Sequence, residues 1–114
     1  MNGMVNKVQL IGHLGADPEV KEFEKDRKMA RMSIATNEHY RNSNNEKVTN
    51  TTWHNVVAWG SLANIAEKYI KKGSEVVIDG KLNNRSWEDK DGNKRYATEV
   101  VANEVLLLDK KKDQ

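Results

Sequence analysis

The hydrophobic period of this chain changes twice, and those changes limit the fold more than any other feature. Between Thr51 and Ser61 (TTWHNVVAWGS) successive residues alternate, so Trp53, Asn55, Val57 and Trp59 share one strand face while His54, Val56 and Ala58 share the other. Past Gly60 the spacing becomes helical: Leu62, Ile65, Ala66, Tyr69 and Ile70 recur on one face, with Ser61 as the predicted N-cap and Gly73 closing the helix after Lys71 and Lys72. Alternation then resumes, with Val76, Ile78, Gly80 and Leu82 on one face.

Two segments before the tryptophan strand and one near the C-terminus carry the same signal. Val5 to Ile11 reads as a strand, with Gly12, Gly15, Asp17 and Pro18 marking a bend after it. Lys28 to His39 alternates Ala30, Met32 and Ile34 against Arg31, Ser33 and Ala35, which sends Arg31 to the solvent face. Asn42 to Asn50 is rich in loop formers and predicts a long exposed loop. The polar NNRSWED leads to a hairpin turn at Asp91 and Gly92, and Tyr96 to Leu108 is the returning strand. Five strands with one helix between the third and fourth is the order of an OB-fold, a five-stranded Greek-key barrel in an otherwise all-β chain. With 114 residues, one domain is expected: residues 1–108 as the barrel and 109–114 as a short charged tail.

The expected core is Val8, Leu10, Met32, Ile34, Val56, Ala58, Val76, Ile78, Leu82, Val100 and Ala102, with Leu62, Ile65 and Ile70 plugging one end. It closes without tryptophan. Trp87 has polar neighbours on both strand faces, which predicts a partly exposed ring, and Tyr40 and Tyr96 stand beside Arg41 and Arg95 in equally polar surroundings. For Trp53 and Trp59 the pattern leaves two assignments open: a solvent-facing wall, or a core, lid or subunit contact. Exposed rings interleaved with Arg and Lys suit single-stranded nucleic acid, because every base has a π-face and the cations can follow the phosphates.

Other chemistries find little support. Without cysteine there is no disulfide, thiolate metal site or cysteine nucleophile. His13, His39 and His54 lie in separate segments without metal-ligand spacing, and no phosphate-cradling or nucleophile-elbow motif occurs. No catalytic residue, metal or cofactor is implied. The net charge of +2 says little about partners, so the placement of charge carries the electrostatic argument. The absence of a membrane-spanning run or export signal predicts a cytoplasmic protein without a membrane partner. RNA-binding and carbohydrate-binding OB modules are the alternatives, separated from DNA binding by competition and by salt dependence.

Four stretches, NKVQLIGHLGADPE (Asn6 to Glu19), TTWHNVVAWGSLA (Thr51 to Ala63), YIKKGSEVVIDGKL (Tyr69 to Leu82) and WEDKDGNKRYATEVVA (Trp87 to Ala102), resemble the bacterial single-stranded DNA-binding proteins. The resemblance implies an OB-fold homotetramer around which single-stranded DNA wraps without sequence preference, associated with the nucleoid during replication, recombination and repair. It implies base stacking at Tyr40, Trp53, Trp59 and Trp87, with the indoles facing the DNA. Phosphate contacts then fall to Lys7, Arg31, Arg41, Lys72 and Arg85, and subunit contacts to His54, Glu75 and Val77. Asn55, Ser61, Asn83 and Ser86 stand where basic residues are frequent in the family, which predicts a shallower salt dependence. The family usually continues into an acidic, apolar tip that recruits replication and repair proteins; this sequence ends at Gln114 without one, so such partners are expected only if a longer chain carries that tail.

Overall fold

The computed structural model describes residues 4–24 and 27–108; the expected tail at 109–114 lies outside them. The elements follow in the order β1 (Val8–Leu14), β2 (Glu19–Phe23), β3 (Arg27–Arg41), β4 (Lys47–Trp59), α1 (Ser61–Tyr69), β5 (Glu75–Glu88) and β6 (Lys94–Leu107). The strands form one sheet in the order β1-β5-β6-β4-β3-β2, and a further β1–β3 pairing closes it. The closed part is a five-stranded barrel, antiparallel except where β4 runs parallel to β6. This is the OB-fold expected from the sequence.

The additional strand is β2, which pairs only with β3 and lies outside the closure. It moves the helix to a place between the fourth and fifth strands in chain order. Its sequence, EVKEF, sends only Val20 against the core, so no apolar alternation announces it. The first strand also begins later and runs further than its sequence suggests. Gly12 lies within it, because a Cβ there would sit 2.1 Å from the Ala35 carbonyl oxygen. Gly80 does the same in β5, where a Cβ would lie 2.3 Å from the Val101 carbonyl oxygen beside a bulge in the β5–β6 ladder.

The expected loop from Asn42 to Asn50 is mostly ribbon. β3 continues to Arg41 and β4 starts at Lys47, with an unbroken register between them. The connecting turn is tied by the Asn42 side chain, whose oxygen accepts from the amides of Asn44 and Glu46, each at 2.9 Å, and Asn45 supplies the left-handed residue at φ 62°. The polar NNRSWED is likewise paired strand as far as Glu88. Asp89 then binds the amides of Asp91 and Asn93 at 3.0 and 2.9 Å across the Asp91–Gly92 turn.

The core contains Met32, Ile34, Val56, Ala58, Val76, Ile78, Val100, Ala102 and Ile70 as expected, together with Leu14, Ala30, Ala63 and Ala66. Val8, Leu10 and Leu62 pack at its margin. Leu82 and Ile65 depart from expectation and are 50% and 37% exposed. Leu82 points inward by register but lies where the ribbon leaves the barrel, and the helix meets the barrel through its two small alanines instead of Ile65. Gly60, not Ser61, is the N-cap; at φ 63° it makes the sharp exit from β4, its amide donating to the Lys28 carbonyl at 2.9 Å. Ile70 ends the helix in extended conformation, and Gly73 at φ 88° serves the following turn.

Candidate nucleic-acid interface

Register decides which way the tryptophans face. Met29 pairs with Trp59, Arg31 with Val57, Ser33 with Asn55 and Ala35 with Trp53. The alternate residues Met32, Ile34, Val56 and Ala58 fill the barrel, so this row points outward. Val57 continues the row to Val101 on β6, and from there Lys81, Asn83, Arg85 and Trp87 follow on β5 through their pairs Val101, Glu99, Ala97 and Arg95. Trp53, Trp59, Trp87, Arg31 and Arg85 therefore share one outward wall. The indoles are 59%, 39% and 41% exposed, respectively, which takes them out of the barrel core. Val57, on the same wall, is nevertheless buried between the strands carrying Arg31 and Val101.

Each ring has its own support. Trp53 lies against the bare backbone of Gly15: a Cβ there would sit 2.6 and 2.7 Å from two carbons of the indole. The Gly15 amide is fixed by donation to the Ser33 carbonyl at 3.1 Å. Trp87 carries the Arg85 guanidinium 4.7 Å from its ring centroid, and Glu99 holds that guanidinium with an oxygen 3.4 Å from Nε. Arg31, Asn55, Arg85, Thr98 and Glu99 surround a small hollow of about 70 Å³ at the centre of the wall. Opposite Trp87, Arg95 donates to Asp89 at 2.8 Å. The Asp89 carboxyl is held below its ordinary value chiefly by the Asn93 amide and then by Arg95.

Trp59 has two neighbours that sequence reading did not find. The Phe23 ring stacks on it with centroids 6.0 Å apart and planes inclined by 30°, and the Arg27 guanidinium lies 5.4 Å from its centroid. The interleaving of Phe23 and Arg27 was a visible signal, but their meeting depends on the unannounced β2. Gly15 and Glu99 were missed as well, since neither belongs to an aromatic or basic pattern.

The remaining candidates divide. Tyr40 pairs with Val48 and shares its parity with Ile34 and Thr36, which places it on the face of the ribbon opposite Trp53, 54% exposed. Arg41 has the parity of the tryptophan wall and donates to the Asn45 carbonyl at 2.9 Å. Lys72 lies in the turn after α1, its amide donating to Asp17, next to the hydrogen bond from Gly73 to Leu14. Lys7 pairs with Asp79 at 2.8 Å.

Of the residues expected at subunit contacts, Val77 lies between Ile11 and Leu106 in register, and those two are 53% and 60% exposed. Glu75 pairs with His13 in the same β1–β5 ladder. His54 faces away from Trp53, with Nε2 3.0 Å from Thr36 Oγ1, and lines a hollow of about 400 Å³ that reaches Ile11. Among the described residues no three His, Asp or Glu side chains converge as metal ligands, and no helix is long and apolar enough to cross a membrane.

The chain matches the Single-strand binding protein family over residues 5–108. It belongs to that family. A single-stranded DNA-binding protein 1 of Chlorobaculum tepidum is 46% identical over 105 residues, covering 91% of this chain and 65% of that protein. The protein of the same description from Xylella fastidiosa is 43% identical over 110 residues, covering 96% and 81%. The chain thus spans less than two thirds of the Chlorobaculum relative's length. Among solved structures, a Plasmodium falciparum SSB in complex with ssDNA superposes with a TM-score of 0.84 at 33% identity, covering 96% of this chain and all of that one. Family membership extends across all four quoted stretches and the whole barrel.

Proposed function

We propose that this protein binds and protects single-stranded DNA without sequence preference and without catalysing a reaction, during replication, recombination and repair. The observation that carries the proposal is the outward wall on which Trp53, Trp59 and Trp87 stand exposed beside Arg31 and Arg85. Flat rings spaced along β4 and β5 offer stacking of about 1–3 kcal/mol per base, and they need bases that are not already stacked in a duplex. Arg31, half-buried at the centre of the wall, supplies a phosphate contact; Arg85, held by Glu99, stiffens Trp87 as well as contributing charge. Arg41, Lys72 and Lys7 extend the charge beyond the tryptophans. Tyr40 stacks a base of a strand that passes to the other side of the β3–β4 ribbon. With few unpaired cations on the wall, the salt dependence is shallow.

The working form is a homotetramer. Ile11, Val77 and Leu106 form an aliphatic stripe across β1, β5 and β6 that suits burial against another copy, with Glu75 at its edge and His54 in the adjoining hollow. The setting is the cytoplasm, at the nucleoid, and replication and repair proteins are recruited only if a longer chain carries an acidic tail. Binding isotherms for matched dT, rU and duplex oligomers at several salt concentrations test the reading. Tight binding of the single strand, weak binding of the duplex and preference for dT over rU are expected. Equal affinity for duplex and single strand would remove it.

A further inference from the structure

Phe23 is an aromatic residue at the end of an edge strand, with 45% of its surface exposed. Its own strand gives it no apolar neighbour on that face: the pairs Glu19–Arg31, Lys21–Met29 and Phe23–Arg27 set charged residues around it, with the buried Met29 as the apolar exception on β3. The same pairs place it on the outward wall, because Met29 pairs in turn with Trp59. Phe23, Glu24, Arg27 and Trp59 line an open hollow of about 470 Å³, within the range of small-ligand clefts. Trp59 shares its ring surface between Phe23 and Arg27, so the freer face of this aromatic group belongs to Phe23.

The chemistry of the hollow selects its occupant. A guanidinium alone would attract a phosphate, but the Glu24 carboxylate lines the same space and opposes an anion. A neutral, flat group over Phe23 meets no such opposition, and Arg27, which lines the hollow, remains for the phosphate that follows. We infer that the end of β2 and the start of β3 form a further base-binding position, in which Phe23 stacks a nucleobase of the bound single strand beyond Trp59 while Arg27 contacts the adjoining phosphate. This rests on the single-strand reading of the tryptophan wall and lengthens the track that the wall provides.

The test compares the unaltered protein with Phe23→Leu, Phe23→Trp and Arg27→Gln over a series of dT oligomers of increasing length, with melting temperature measured for each. Leucine keeps an apolar contact with Trp59 but has no π-face, so its melting temperature should match that of the unaltered protein. Its affinity should fall about tenfold for oligomers long enough to reach Phe23 and stay unchanged for shorter ones. Phe23→Trp should restore the loss, and Arg27→Gln should reduce the slope of log K against log salt by about 0.7. Long oligomers bound equally by Phe23→Leu and the unaltered protein would overturn the inference. So would a loss of the same size at every length, or one that tryptophan does not restore, since the ring would then merely prop Trp59. Failure of the unaltered protein to bind any oligomer would instead strike the underlying reading, and is distinguished by that control.

Discussion

The outward row of β3, β4, β5 and β6 carries Trp53, Trp59 and Trp87, and the outward row of β1, β5 and β6 carries Ile11, Val77 and Leu106; both leave apolar surface in solvent. The difference lies in the shape of the side chains and the company they keep. The first row offers flat rings, each with its own backing: a glycine under Trp53, Phe23 and Arg27 around Trp59, and Arg85 on Trp87. Such rings keep a face for a partner that is itself flat and charged along one edge. The second row offers branched aliphatic groups, and on the same strand as Val77 the Asp79 carboxylate is already paired with Lys7 at 2.8 Å. Aliphatic surface has no directional face and is satisfied by close packing against another protein surface. Exposure alone therefore does not distinguish the two surfaces; the shape of the exposed groups does.

The largest expected effect separates the two walls. Leu106→Asp would place a carboxylate in the proposed subunit contact at a cost of several kcal/mol. Sedimentation should show smaller assemblies, while each subunit's tryptophans remain quenchable by a short dT oligomer. Trp53→Ala addresses the other wall, with an expected loss of about 1–3 kcal/mol in oligomer binding and an unchanged assembly state. A Trp53→Ala protein that changed its assembly but kept its affinity, or a Leu106→Asp protein that assembled normally but no longer bound the short oligomer, would contradict the division.

Gly15→Ala sharpens the account of how Trp53 is held. The added methyl overlaps the indole, which must leave its present rotamer, so binding should weaken by about 1 kcal/mol in the same titration. Arg31→Gln should leave stacking intact and lower the salt slope by about 0.7, read from isotherms at several salt concentrations. The smallest effect concerns the β5–β6 hairpin. The Asp89 carboxyl lies below its ordinary value of 3.8, so its contribution to stability is present above that pH and disappears as pH falls through the folded-state value. Asp89→Asn should lose this acid-side dependence, measured as melting temperature against pH, with no change in binding at neutral pH.

The barrel was legible where one strand face is buried. Met32, Ile34, Val56, Ala58, Val76 and Ile78 alternate with polar or outward residues, and burial of one face enforces that alternation. It failed where neither face is buried. β2 sends only Val20 inward, and the distal halves of the two long ribbons are polar on both sides, so their strand character comes from ladder hydrogen bonds that composition does not reveal. Trp87 was legible as exposed for the same reason: polar flanks offered it no interior. The Phe23–Trp59–Arg27 group was hidden because it forms only in the β2–β3 register, and the support of Trp53 was hidden because it consists of a missing side chain. Alternation also separated Tyr40 from the tryptophan wall, once the ribbon was known to run without a bulge from Ile34 to Tyr40.

Intrinsic tryptophan emission, recorded during titration with poly(dT) and with duplex DNA as the control, reads the central claim most directly. The account predicts emission characteristic of water-exposed indoles in the free protein, strong quenching by the single strand, and little change with duplex. Emission typical of apolar surroundings in the free protein, left unquenched by saturating poly(dT), would contradict it.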